Sequence, residues 1–162
     1  MWRLLARAAR ERGPNALADW VVLAGGVALF TSLFFAWSHQ VSAATLAAAD
    51  DSGVLQGVPR DPTGWQVYSV ADELLALLGV CLVAVALFGS MRVRLWVLVA
   101  CALTVVFVLH ALSVPPTNGV LFVAPGTAAY APRPATAGFG EALALVSLWV
   151  AVAGLGLSLV RK

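Results

Sequence analysis

The stretch Leu74-Leu-Ala-Leu-Leu-Gly-Val-Cys-Leu-Val-Ala-Val-Ala-Leu-Phe-Gly-Ser-Met91 runs for eighteen residues without a charge. A helix of that length reaches ~27 Å at 1.5 Å per residue, close to the ~30 Å hydrocarbon core of a bilayer. Working outward, Arg92 and Arg94 close the run, and a second apolar stretch follows at once from Leu95 to Val114. Pro115 and Pro116 end that one, because neither has an N–H to continue a helix. Two further charge-free runs, Trp20 to Ser38 and Ala142 to Val160, flank this central pair. The spacing predicts four membrane-spanning helices, over residues 17–38, 69–91, 94–114 and 138–160, with outer loops at 39–68 and 115–137.

Composition agrees. The chain of 162 residues is 61% hydrophobic and only 11% charged, against roughly a quarter charged in soluble domains. Orientation follows from the basic residues: Arg3, Arg7, Arg10, Arg12, Arg92, Arg94, Arg161 and Lys162 fall on one side of a four-span layout, and only Arg60 and Arg133 on the other. The basic side is expected to be cytoplasmic. Of the acidic residues, Glu11 and Asp19 share the inner side, whereas Asp50, Asp51, Asp61, Asp72, Glu73 and Glu141 lie outside. The charge is then +6 inside and −4 outside, which sums to the net +2. Such a separation across a membrane gives the basic balance no bearing on nucleic acid, and none is expected as a partner.

Residues 1–14 set Arg3, Arg7 and Arg10 at helical spacing against Trp2, Leu5 and Ala9, which reads as a cytoplasmic amphipathic segment on the membrane surface. Residues 15–162 are then the transmembrane domain. A secretory signal with cleavage after Val41-Ser42-Ala43 competes for the same N-terminus. The first apolar run is longer than a signal core, however, and its end at Phe34, Phe35 and Trp37 suits an interfacial anchor. Trp37, Trp65 and Tyr68 are expected in the outer aromatic belt, and Trp2, Trp20 and Trp96 in the inner one. Gly25-Gly26, Ala24 and Ala28, Gly79, Gly89, Ser147 and Ala151, and Gly154 are small enough for helices to approach closely, within the chain or between copies.

Few residues carry chemistry. Cys81 and Cys101 fall in separate spans and form no redox motif. Ser69-Val-Ala-Asp72 matches a capping box ahead of the second span, and Glu141, three residues after Gly138, fits the same role at the fourth. These two stretches lie 69 residues apart, and His39 and His110 lie 71 apart, a spacing consistent with two related hairpins. Under that symmetry His39, Asp72, His110 and Glu141 meet at similar depth in an outer-facing vestibule. They lie in no recognisable metal or haem motif, so neither a metal nor another cofactor is expected. Protease pairs, HExxH and phosphate loops are absent from the sequence, and no enzymatic activity is expected.

Ser32-Leu-Phe-Phe-Ala-Trp37, Gly64-Trp-Gln-Val-Tyr-Ser-Val-Ala-Asp72 and Leu112-Ser-Val-Pro-Pro116 resemble the corresponding segments of a group of uncharacterised four-span membrane proteins of high-GC bacteria. Phe35-Ala36 departs from that pattern, standing where those proteins commonly have leucine and proline before the tryptophan. The resemblance implies a membrane topology and carries over no site. The expectation is thus an all-α transmembrane four-helix bundle of two antiparallel hairpins, with both termini cytoplasmic, in a bacterial inner membrane. Its expected role is non-enzymatic, packing with itself or within a larger membrane complex. The alternative is a small transporter, channel subunit or ligand sensor using the outer vestibule.

Overall fold

The computed structural model of the protein describes residues 16–39, 61–68, 70–116 and 135–160. They form, in order, α1 (Ala16–Ser32), β1 (Ser38–His39), the single turn α2 (Gly64–Val67), α3 (Ala71–Phe88), α4 (Met91–Ser113), β2 (Thr136–Ala137) and α5 (Phe139–Val160). The expected surface segment of residues 1–14, the alternative cleavage site at 41–43, Ser69 and most of both outer loops lie outside the described residues.

The chain is predominantly helical, and α3, α4 and α5 are each long and apolar enough to cross a membrane. α1 is apolar but shorter at 17 residues, and it stops well before the expected boundary at 38. Its last turn loosens: Thr31 Oγ1 donates to Val27 O (2.8 Å), Ser32 Oγ donates to Leu29 O (2.6 Å), and the following N–H groups bond three residues back rather than four. Beyond it, the backbone of Ala36 and Trp37 bonds to distant segments instead of to its own helix. Apolar composition could not signal that change. Between α3 and α4, Gly89 and Ser90 make the turn, so α4 begins at Met91 rather than at the expected boundary of 94.

α1 packs chiefly on α5 and α3, and α5 also packs on α4. The consecutive helices α3 and α4 touch less than any of these pairs. Small residues explain the closest contacts. A Cβ on Gly25 would lie 2.8 Å from Ala151 N, and one on Gly154 would lie 2.8 Å from Val22 N, so only glycine lets α1 and α5 come this near. These glycines serve packing within the chain; Ala24, by contrast, faces outward.

The distribution of side chains is inverted relative to a water-soluble protein. Trp96, Leu103 and Val106 on α4 are 74%, 69% and 67% exposed, whereas Asp19, Asp72 and Glu141 are 7%, 5% and 0% exposed. On α1, α3 and α5 the buried stripe follows helical spacing and mixes aliphatic residues with small residues and one acid: on α5 it runs through Gly140, Glu141, Ala144, Ser147, Leu148, Ala151 and Gly154. Large apolar residues dominate the outside, including Leu74, Leu77, Trp149 and Phe88. In water so much exposed apolar surface would drive association; against lipid tails it is satisfied.

At one end of the helices, Arg94 on α4 reaches Asp19 on α1 at 2.7 Å, both side chains largely buried, and its Nε donates to Gly89 O (3.3 Å). Both residues were expected on the inner side, and the structure joins them as a buried pair.

Candidate functional site

At the opposite end, three separate chain segments converge on Trp37. Its backbone N–H donates to Pro62 O (2.9 Å) and its carbonyl accepts from Gly138 N (2.8 Å), while Ala36 O accepts from Gly140 N (2.7 Å). Ser38 and His39 pair antiparallel with Ala137 and Thr136, and Ala36 bridges to Thr63. The indole Nε1 donates to Ser32 O (3.0 Å), satisfying a carbonyl at the frayed C-terminus of α1. Trp37 is fully buried, which corrects its expected place in the interfacial belt. An interfacial indole is anchored by headgroups and water; this one is anchored by backbone it helps to hold. Tyr68 stands edge-on to it with ring centroids 5.7 Å apart, and Phe107 of α4 lies 5.5 Å from Tyr68. Trp65, in contrast, is partly exposed and packs edge-on with Phe30 and Phe34.

Two glycines make this convergence possible. A Cβ on Gly140 would lie 2.5 Å from Trp37 Cδ1 and 2.9 Å from Ser32 O, and one on Gly138 would collide with the Ala36 carbonyl. Both sit at the entry to α5, so the first turn of that helix is pressed against the indole.

Glu141 is the next residue. Its side chain is wholly buried, and among the described residues neither carboxylate oxygen has a hydrogen-bond partner. The capping role expected for it is therefore not made by the side chain. Burial pushes the Tyr68 hydroxyl up from about 10 to about 12, and the Glu141 carboxylate, when ionised, adds to that shift. The Tyr68 ring thus lies within electrostatic reach of Glu141.

The chain matches no known protein family, no curated protein and no solved structure. The site is accordingly read from its own geometry.

The other three vestibule residues differ from Glu141 in their surroundings. Asp72, in the first turn of α3, is buried, and its Oδ1 accepts from the Glu73 N–H (2.9 Å). That bond falls on one of the free amides at a helix start. It is not the expected capping box, since Val70 is the N-cap residue. His39 lies in β1 rather than in a helix, half exposed, with Nδ1 2.6 Å from Asp61 Oδ1. His110 is in the last turn of α4 and exposed. Among the described residues no group of three or more histidine, cysteine, aspartate or glutamate side chains is arranged to hold a metal ion.

Sequence reading missed the role of Trp37, the pairing of His39 with Asp61 and the pairing of Asp19 with Arg94. One signal was available for the first. Gly138-Phe-Gly140 places two glycines at the start of an otherwise strong helix-former, a costly choice unless another part of the chain must approach closely.

Proposed function

We propose that the chain is a four-span membrane protein of a bacterial inner membrane, with both termini cytoplasmic, akin to the four-span proteins of high-GC bacteria it resembles. Its role is non-enzymatic: it packs as an accessory part of a membrane assembly, with copies of itself or with other membrane proteins. The observation that carries this reading is the inverted side-chain distribution, with bulky apolar residues outward on every long helix and Asp19, Asp72 and Glu141 inward. Several features support the finer topology. The ends of α1 and the starts of α3 and α5 gather at the Trp37 end, while Asp19, Arg94 and the α3–α4 turn gather at the other. That alternation is what four antiparallel spans require, and the Asp19–Arg94 end is the one with the excess of basic residues.

Topology reporters test the orientation. A reporter active only in the cytoplasm, fused after Lys162 or within the Gly89–Ser90 turn, should be active, and one active only outside should be active when inserted at residues 117–134. The reverse pattern would overturn it. Crosslinking in native membranes tests the assembly role, and recovery of monomers alone would remove its support.

A second reading, an outer-facing site in a small transporter or sensor, is favoured by one observation: the fully buried, unpartnered carboxylate of Glu141. Such a group in a membrane protein is a default functional candidate.

A further inference from the structure

Burying an ionised carboxylate with no hydrogen bond and no counter-charge costs several kcal/mol or more, and a group so placed ordinarily takes up a proton instead. Glu141 meets both conditions: it is 0% exposed and both oxygens lack partners. The residues around it offer little else. Ser32 O already accepts from the Trp37 indole, Ala36 O from Gly140 N, Trp37 O from Gly138 N, and Gly138 O from Ala142 N (3.5 Å). A metal cation needs several oxygen ligands converging on one point, and no cluster of acidic or histidine side chains supplies them among the described residues.

We propose that Glu141 is a proton-binding site: a neutral carboxylic acid in the packed state, which gives up its proton when the entry to α5 separates from Trp37 and Tyr68. This goes beyond the packing role, and although it rests on the membrane reading it does not depend on the orientation of the spans. The titratable groups at this end are few. Tyr68 is the one whose ionisation senses Glu141. On α3, Asp72 keeps its carboxylate on the Glu73 amide. From β1, His39 pairs with Asp61, and on α4 His110 is exposed. α1 has its single ionisable residue, Asp19, at the far end with Arg94. Among the described residues no lysine or arginine pairs with Glu141, and Arg94 is engaged by Asp19 at the far end. The contacts that such a separation must break are the Gly138 and Gly140 amide bonds to Trp37 and Ala36, which tie α5 to the end of α1.

A hydrophobic carbodiimide reads the protonated form directly. The acid proton passes to one carbodiimide nitrogen, the carboxylate oxygen bonds the central carbon, and an acyl shift leaves a stable N-acylurea with no group lost. The full chain, in liposomes, is treated with dicyclohexylcarbodiimide from about pH 5 to about pH 9, a range that separates ordinary from proton-retaining carboxylates, and labelled peptides are identified by mass. An ordinary glutamate is protonated to roughly one part in five hundred at pH 7. Glu141 should therefore label about a hundredfold or more faster in the folded chain than in the denatured chain at that pH, and its rate should fall about tenfold per pH unit once its proton is lost. Glu141→Gln should abolish the label without changing that of Asp72. A Glu141 that stays unlabelled at every pH, while the denatured chain labels, overturns the proposal. So does protection by sodium or potassium at fixed pH, which would make the ligand a metal cation. A soluble, non-membrane chain would be recognised separately, by its failure to float with the liposomes.

Discussion

Adding one methyl group at Gly140 tests whether Trp37 organises this end of the molecule. The new Cβ would lie 2.5 Å from Trp37 Cδ1, 2.8 Å from Nε1 and 2.9 Å from Ser32 O, where carbon atoms normally sit ~3.5–4.0 Å apart. The overlap is about an ångström. The indole has little freedom to yield, because Nε1 is bonded to Ser32 O and its face is set against Tyr68. Overpacking costs typically ~1–3 kcal/mol, and a clash with an anchored ring and a backbone carbonyl belongs at the upper end, about 3 kcal/mol. Replacing a helical glycine by alanine returns up to about 1 kcal/mol of backbone entropy, leaving G140A destabilised by about 2 kcal/mol. Gly156, on the same helix, supplies the control, since a Cβ there meets nothing within 4 Å. G156A should be neutral or gain up to about 1 kcal/mol, so the two variants should differ by about 3 kcal/mol, roughly a hundredfold in the unfolding equilibrium. Reversible unfolding in mixed micelles, followed by tryptophan fluorescence, measures that difference. If G140A matches G156A within about 0.5 kcal/mol, α5 is not pressed on the indole as described.

Other outcomes follow from the same contacts. Arg94→Ala should cost ~3–5 kcal/mol by stranding the buried Asp19 carboxylate, and Asp19→Asn combined with it should recover a large part; additive losses in the double variant would refute the ion pair. In single-tryptophan variants, brominated lipids should quench Trp96 and Trp149, which are exposed, but not Trp37, which is not; equal quenching would return Trp37 to the interface. Tyr68 should resist ionisation until about pH 12, read by ultraviolet titration in a Tyr130→Phe background, and Glu141→Gln should lower that value. The phenol keeps its proton longer folded than unfolded, so its stabilisation is complete below about pH 10 and is lost as pH rises through about 12. His39→Ala should change stability by less than about 1 kcal/mol, because the His39–Asp61 pair is half exposed; a larger loss in the same unfolding assay would give the pair a weight its exposure denies it.

The helices were legible because charge and proline punctuate them. Arg92 and Arg94 mark the junction of α3 and α4, and Pro115 follows α4 within two residues of Ser113. The end of α1 was not legible, since Leu33 to Trp37 is as apolar as the helix before it and leaves helical geometry only through bonds to Pro62, Gly138 and Gly140. The same limit applied to the acids. Asp72 and Glu141 look alike in sequence, each near the start of an apolar helix, but one finds a neighbouring amide and the other finds nothing. Partnership of that kind depends on which way a side chain turns in three dimensions, which hydrophobic periodicity does not encode. His39 likewise found Asp61, twenty-two residues along the chain, where symmetry between hairpins had suggested other company.

The principal partner of α1 is α5, which follows α1, α3 and α4 in the chain. In a membrane-inserted chain Asp19 can meet Arg94 as soon as α4 is made, and Gly26 can meet α3, but the Gly25 face of α1 stays uncovered until α5 arrives. Long-range contacts of this kind delay folding, and a nascent chain stalled before α5 would keep a bare small-residue surface on α1. Such a chain is a natural client for membrane insertases and a ready substrate for quality-control proteases, so truncation within α5 should be read out in the cell as rapid turnover rather than as a partly working protein.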